Sequence, residues 1–198
     1  GWIGHDGGWN PFPIDKDGNN LGTMRGCDSL PSVSMHVLGN YNQYNGVYYP
    51  EHGYGSLRWA EYADKIGQKI FLWGKARSGA IWEDLLTDGH GQYVELQSGR
   101  FFNQPSTGSE LTPYKKPHMD PQATDEWTEY WFPVIGIGGV VKASPFAALN
   151  VERKDGKLIL KLSPLETLDT DMRIFCGDNL QTTIHVNATP LKEWQGEM

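Results

Sequence analysis

An all-β architecture of stacked sheets is the fold class predicted by this sequence, on three observations. Helical periodicity is nearly absent, short runs of period-two alternation recur along the chain, and turn residues are plentiful, with 24 Gly and 12 Pro in 198 residues. Apolar content is modest at 38%, but 12% of residues are aromatic, including eight Trp and nine Tyr. Such rings bury large areas while keeping a polar handle. This is the composition of a folded β-rich protein, not of a disordered one.

Taken in order, residues 1–32 are rich in Gly, Asn, Asp and Pro and read as loops with embedded aromatics. In PSVSMHVLG (31–39), Val33, Met35 and Val37 alternate with Ser34, His36 and Leu38, which predicts a strand. NYNQYNGVYYPEHGYG (40–55) reads as a tyrosine-rich loop with a short strand at Val47–Tyr49. LRWAEYA (57–63) fits a strand or a helical turn, and KIFLWG (69–74) is a compact apolar strand ended by Gly74. In AIWEDLLTDGHG (80–91), Asp88-Gly89 supplies hairpin-turn chemistry ahead of the strand in GQYVELQSGRFFNQ (91–104).

WTEYWFPVIGIGG (127–139) is a further strand, stopped by glycines. FAALNVERKDGKLILKLSP (146–164) is the clearest hairpin, with Asp155-Gly156 between two alternating runs. DMRIFCGD and TTIHVNATP close the chain as two short strands, and no internal repeat is visible. Composition shifts near residue 145: large aromatics and glycines crowd the chain before it and thin out after it. Residues 1–145 are therefore expected to carry the site, and 146–198 to continue as, or append, a structural β segment.

The net charge is −7, and no run of Lys and Arg exceeds two residues, as at Lys115-Lys116. A nucleic-acid binder normally shows a basic footprint, so that class is set aside. No apolar run reaches bilayer length, and no signal peptide is evident. Cys27 and Cys176 fit one long-loop disulfide or two thiols, and neither has a neighbouring cysteine at metal-ligand spacing. There is no phosphate loop, nucleophile elbow or Cys-His signature. No organic cofactor is expected; loop Asp and Asn residues leave room for a calcium ion, without EF-hand-like spacing.

Two segments carry candidate chemistry. If 92–97 is a strand, Tyr93, Glu95 and Gln97 share one face, while Val94 and Leu96 share the other and seek a core. A carboxylate between a ring and an amide suits sugar hydroxyls, and it equally suits a solvated strand face. In 127–133, Trp127, Glu129 and Trp131 fall on one side, and Thr128, Tyr130 and Phe132 on the other. Sugar rings offer C–H faces to aromatics and hydroxyls to carboxylates; alternatively the tryptophans are core and Glu129 is a buried structural residue.

Glu95 and Glu129 are the candidate catalytic carboxylates, since acid–base chemistry needs a pair of which one has a raised pKa. In glycoside hydrolysis the separation of such a pair sets inversion or retention. Tyr93, Trp82, Trp127 and Trp131 are candidates for stacking, Gln97 and Arg100 for hydroxyl contacts, and the loop histidines His52 and His90 for further sugar contacts. Glu83 and Asp84 are nearby acids, and Asp88 reads as a turn residue. The expected ligand is a carbohydrate, and the first reading is a glycoside hydrolase-like or sugar-modifying enzyme acting through the paired carboxylates. A non-catalytic carbohydrate-binding module is the second reading, and a purely structural β domain of a larger polypeptide the third.

Gly67, Lys69, Phe71 and Trp73-Gly74, then Leu86-Thr87-Asp88, then Tyr93, Glu95, Leu96, Gly99 and Gln104, then Tyr130-Trp131 and Pro133 follow one another in order. This series resembles the DUF5107 domain family. The resemblance implies a galactose-mutarotase-like β-supersandwich, a fold used by sugar epimerases and by domains of glycoside hydrolases. It implies a chain corresponding to the C-terminal half of that domain plus a following β segment, within a larger secreted or periplasmic bacterial protein. Catalysis in the wider mutarotase-like group uses a Glu base with His partners, a role that resemblance of strand context offers to Glu95 or Glu129.

Overall fold

The computed structural model describes residues 1–4, 8–28, 30, 32–37, 42–64, 67–73, 77–99 and 120–198. Period-two alternation becomes pairing almost wherever the sequence displays it. The strands are β1 (Trp2–Ile3), β2 (Trp9–Asn10), β3 (Val33–Val37), β4 (Tyr44–Tyr49), β5 (Tyr54–Trp59), β6 (Gly67–Leu72) and β7 (Val94–Gly99). They continue as β8 (Tyr130–Ile135), β9 (Lys142–Ala143), β10 (Ala147–Lys154), β11 (Lys157–Pro164), β12 (Leu168–Cys176), β13 (Asn179–Ala188) and β14 (Trp194–Glu197). All pairings among them are antiparallel, so the chain is all-β.

The chain divides into two compact units, Gly1–Asn42 with Tyr62–Trp127, and Gln43–Glu61 with Thr128–Met198. This division does not follow the composition shift near 145. The β4–β5 hairpin leaves the first stretch of sequence to pair with β8, and so joins the later strands.

The first unit holds one sheet in the order β2-β1-β3-β6-β7. Its apolar face gathers Trp2, Met35 and Leu72 around Leu21 and Cys27, with Val33, Ile70 and Val94 packed against them. Cys27 is a buried free thiol, and burial raises its pKa. The opposite face of β3 is also buried: Ser34 and His36 are out of solvent although they are polar.

An α-helix, α1 (Arg77–Leu86), interrupts the strands where the sequence promised none. Its inward residues, Gly79, Trp82 and Glu83, do follow helical spacing. Ile81, Leu85 and Leu86 stay exposed on the outer side, which blurs the contrast that reveals an amphipathic helix. Asp88 and Gly89 both have positive φ, 52° and 74°, so their turn chemistry is real. They end a helix, however, and do not join two strands.

The second unit is layered. Sheet β4-β5-β8 packs Leu57, Trp59, Phe132 and Val134 onto Ala143 and Ala148 of the β14-β11-β10-β9 sheet, with Ile137 between. Val134 and Ile137 are fully buried, and each such side chain stabilises the fold by about 1.5–3 kcal/mol. The other side of that second sheet turns Leu162, Ala147 and Leu149 toward Val186, Ala188 and Met172 of the β12–β13 ribbon. The expected Asp155-Gly156 hairpin forms, with Lys154 opposite Lys157 and φ values of 51° and 80° at the turn.

Polar groups lock these layers. The Ser163 hydroxyl, 1% exposed, accepts from the Ile135 N–H at 3.1 Å. Tyr44 donates its hydroxyl to the Val141 carbonyl at 2.7 Å, and Asn150 donates to the Ile137 carbonyl at 2.7 Å.

Candidate functional site

Strand β7 is read by its register with β6. Glu95 lies opposite Phe71 and Gln97 opposite Lys69, while β6 in turn sets Phe71 opposite Ser34 and Lys69 opposite His36. One face of three adjacent strands therefore carries Ser34, Phe71 and Glu95 in one row, and His36, Lys69 and Gln97 in the next. Val94 and Leu96 point the other way, and Val94 joins the core as the alternation requires.

Glu95 is gripped at both ends. The Trp73 indole N–H donates to its Oε1 at 3.0 Å, and the Gln97 amide donates to its Oε2. A carboxylate offers about four lone-pair sites, so acceptor capacity is left on both oxygens. Lys69, only 8% exposed, sits diagonally across the pair. Burial holds its ammonium below the usual lysine range, and the Glu95 carboxylate opposes that shift. His36 is fixed through Nδ1, 3.1 Å from the Ile3 carbonyl.

Aromatic rings flank this polar row. Phe71 meets Trp73 edge-on at 4.9 Å, Trp73 meets Trp82 of α1 at 5.1 Å, and Trp82 lies 6.4 Å from Tyr93. Two donors here find no acceptor among the described residues: the buried Trp82 Nε1–H and the buried Ser34 hydroxyl. Such a group costs about 1–3 kcal/mol when left unmade.

The sequence had marked Tyr93, Glu95, Gln97 and Trp82, and these four come together. Arg100 lies outside the described residues. Lys69, Phe71, Trp73, Ser34 and His36 were missed as site residues, although Lys69, Phe71 and Trp73 alternate within KIFLWG. Read as one apolar run, that strand hides its second face.

Of the other candidates, Glu129, Trp131 and His52 belong to the second unit, and Trp127 and His90 to the first. Glu129 and Glu95 do not share a sheet, because β8 pairs with β5 and β7 with β6. Glu129 accepts from Arg58 Nε at 3.2 Å and from the Trp131 indole at 3.1 Å. It is mostly buried, at 14% side-chain exposure, whereas Trp127 and Trp131 are exposed. His52 caps the β4–β5 turn, its ring 5.8 Å from Tyr54. His90 is exposed beyond α1 and gives its backbone N–H to Thr87. Among the described residues no group of three or more His, Cys, Asp or Glu side chains is placed to hold a metal ion. Among them, too, no helix is long and apolar enough to cross a membrane.

The family model described as a domain of unknown function, DUF5107, matches residues 2–134. The chain belongs to the DUF5107 family. The match takes in all three strands of the Glu95 face and most of β8. No solved structure matches the chain.

Proposed function

We propose that this DUF5107 domain binds a carbohydrate on the β6–β7 face of its first unit. The observation that carries the reading is the Glu95 carboxylate, held by Trp73 and Gln97 inside a wall of Phe71, Trp73, Trp82 and Tyr93. Sugar hydroxyls donate to a carboxylate in two directions, and sugar C–H faces lie against rings. The Trp82 indole N–H and Ser34 hydroxyl add groups for which ligand oxygens would be partners.

Lys69 and His36 place further polar groups in the row. In this reading Glu95 receives hydroxyl protons as hydrogen bonds and is not one of a catalytic pair, because the strand beside it brings Phe71 and Lys69 and no second carboxylate. The galactose-mutarotase-like supersandwich is proposed with it, on the family resemblance and the antiparallel sheets.

Calorimetric titration of the wild type and Glu95→Gln against neutral mono- and oligosaccharides, with product analysis, tests this. Wild-type binding without turnover is expected, weakened about 10- to 100-fold by the substitution, since hydrogen bonds to a charged group are worth about 1.5–3 kcal/mol. Equal affinity in both proteins would remove Glu95 from the site. Turnover abolished by the substitution would replace the binding reading with a catalytic one.

A further inference from the structure

Strand β5 of the second unit carries a buried arginine whose terminal nitrogens have no partner among the described residues. Arg58 is fully buried near the C-terminal end of β5, the central strand of the β4-β5-β8 sheet. Its Nε is committed to Glu129 at 3.2 Å. Nη1 and Nη2 are buried with no partner among the described residues. Register places Asn45 of β4 on one side of Arg58 and Trp131 of β8 on the other, all facing the same way. The Asn45 amide is likewise buried, with neither Nδ2 nor Oδ1 bonded among the described residues.

Buried polar atoms of this kind are rare in folded proteins, and each asks for a partner. A planar guanidinium with both Nη atoms free is a fork that matches the two oxygens of a carboxylate. Glu129 orients the guanidinium through Nε, and both Nη atoms stay without a partner among the described residues. The Asn45 Nδ2 adds a third donor, and its Oδ1 accepts from a hydroxyl. Beside them Trp131 is 51% exposed and offers a ring face at the edge of the group.

We infer that the Arg58–Asn45 pair binds the carboxylate of a sugar acid, a hexuronate, whose ring lies against Trp131. The sugar part of this proposal rests on the carbohydrate reading above; the carboxylate part does not. Nothing in it requires Glu95.

The test is calorimetry of the full chain with D-glucuronate, D-glucose and acetate, repeated on Asn45→Asp and Glu95→Gln. Asn45→Asp is isosteric and sets a carboxylate beside the fork from within. The wild type is expected to hold glucuronate at least about tenfold more tightly than glucose, the scale of a charged hydrogen bond. Asn45→Asp is expected to erase that preference and to raise the Tm, and Glu95→Gln to leave the preference in place.

Acetate that competes as well as glucuronate would keep the oxyanion site and make a simple carboxylate its ligand. Equal affinity for glucuronate and glucose in the wild type would overturn the proposal. So would a preference that survives Asn45→Asp and disappears in Glu95→Gln, which would move the ligand to the β6–β7 face.

Discussion

Lys69 is the residue at which the first unit spends stability on its polar face. Its pKa is lowered from 10.5 by burial, with Glu95 opposing. Between the folded value and 10.5 the unfolded chain holds a proton that the folded chain has released, so stability rises with pH across that window. Below it both states carry the charge, and the whole cost of burying it is present. Lys69→Met removes this titration. As pH is raised from neutral toward 10.5, the Tm of the wild type is expected to gain on that of Lys69→Met; parallel curves would mean that Lys69 is as solvated folded as unfolded. Part of this site was legible from residues alone, because Tyr93, Glu95 and Gln97 stand two apart in a segment with Val94 and Leu96 between them. Arg58 was not legible. Its neighbours Leu57 and Trp59 look like core, and only pairing with β4 and β8 reveals that an arginine is buried among them.

At the scale of elements, hairpins were easy to read and the helix was not. Asp155-Gly156 between two alternating runs specifies a two-residue turn by backbone sterics alone, and β10 and β11 form there. Asp88-Gly89 obeys the same sterics but follows α1, because positive φ is demanded at helix ends as well as in hairpins. The pairing of β5 with β8 joins distant parts of the sequence, from Trp59 with Tyr130 to Tyr54 with Ile135, and no local pattern encodes it. What holds the β8 layer to its neighbour is partly one hydroxyl. Ser163→Ala removes the acceptor of the Ile135 N–H, 28 residues away, and is expected to cost about 1–3 kcal/mol. Thermal unfolding followed by circular dichroism reads this as a lower Tm. An unchanged Tm would show that the N–H finds another partner.

Across the whole molecule, sequence order and spatial order part company. The family match ends at residue 134, yet the second unit needs strands on both sides of that point. A chain ending at Ile135 would keep β4, β5 and β8 and lose Ala143 and Ala148, the surface on which Leu57, Phe132 and Val134 pack. Such a chain is expected to bind the dye ANS and to lose the dispersed amide signals of β4, β5 and β8. Preserved dispersion would show that this sheet does not depend on the layers beyond it. The two carboxylates that sequence reasoning paired, Glu95 and Glu129, are separated into different sheets by the same rearrangement.

We propose that a saccharide lies on the face made by Trp73, Trp82, Tyr93 and Glu95. Eight tryptophans give eight indole N–H signals, and a saccharide titration followed by 15N–1H spectra of indole-labelled protein reads each one. Saturable shifts are predicted at Trp73 Nε1, which donates to Glu95, and at Trp82 Nε1, with both lost in Glu95→Gln. Shifts confined to other tryptophans, or none at any saccharide concentration, would mean that no saccharide binds this face.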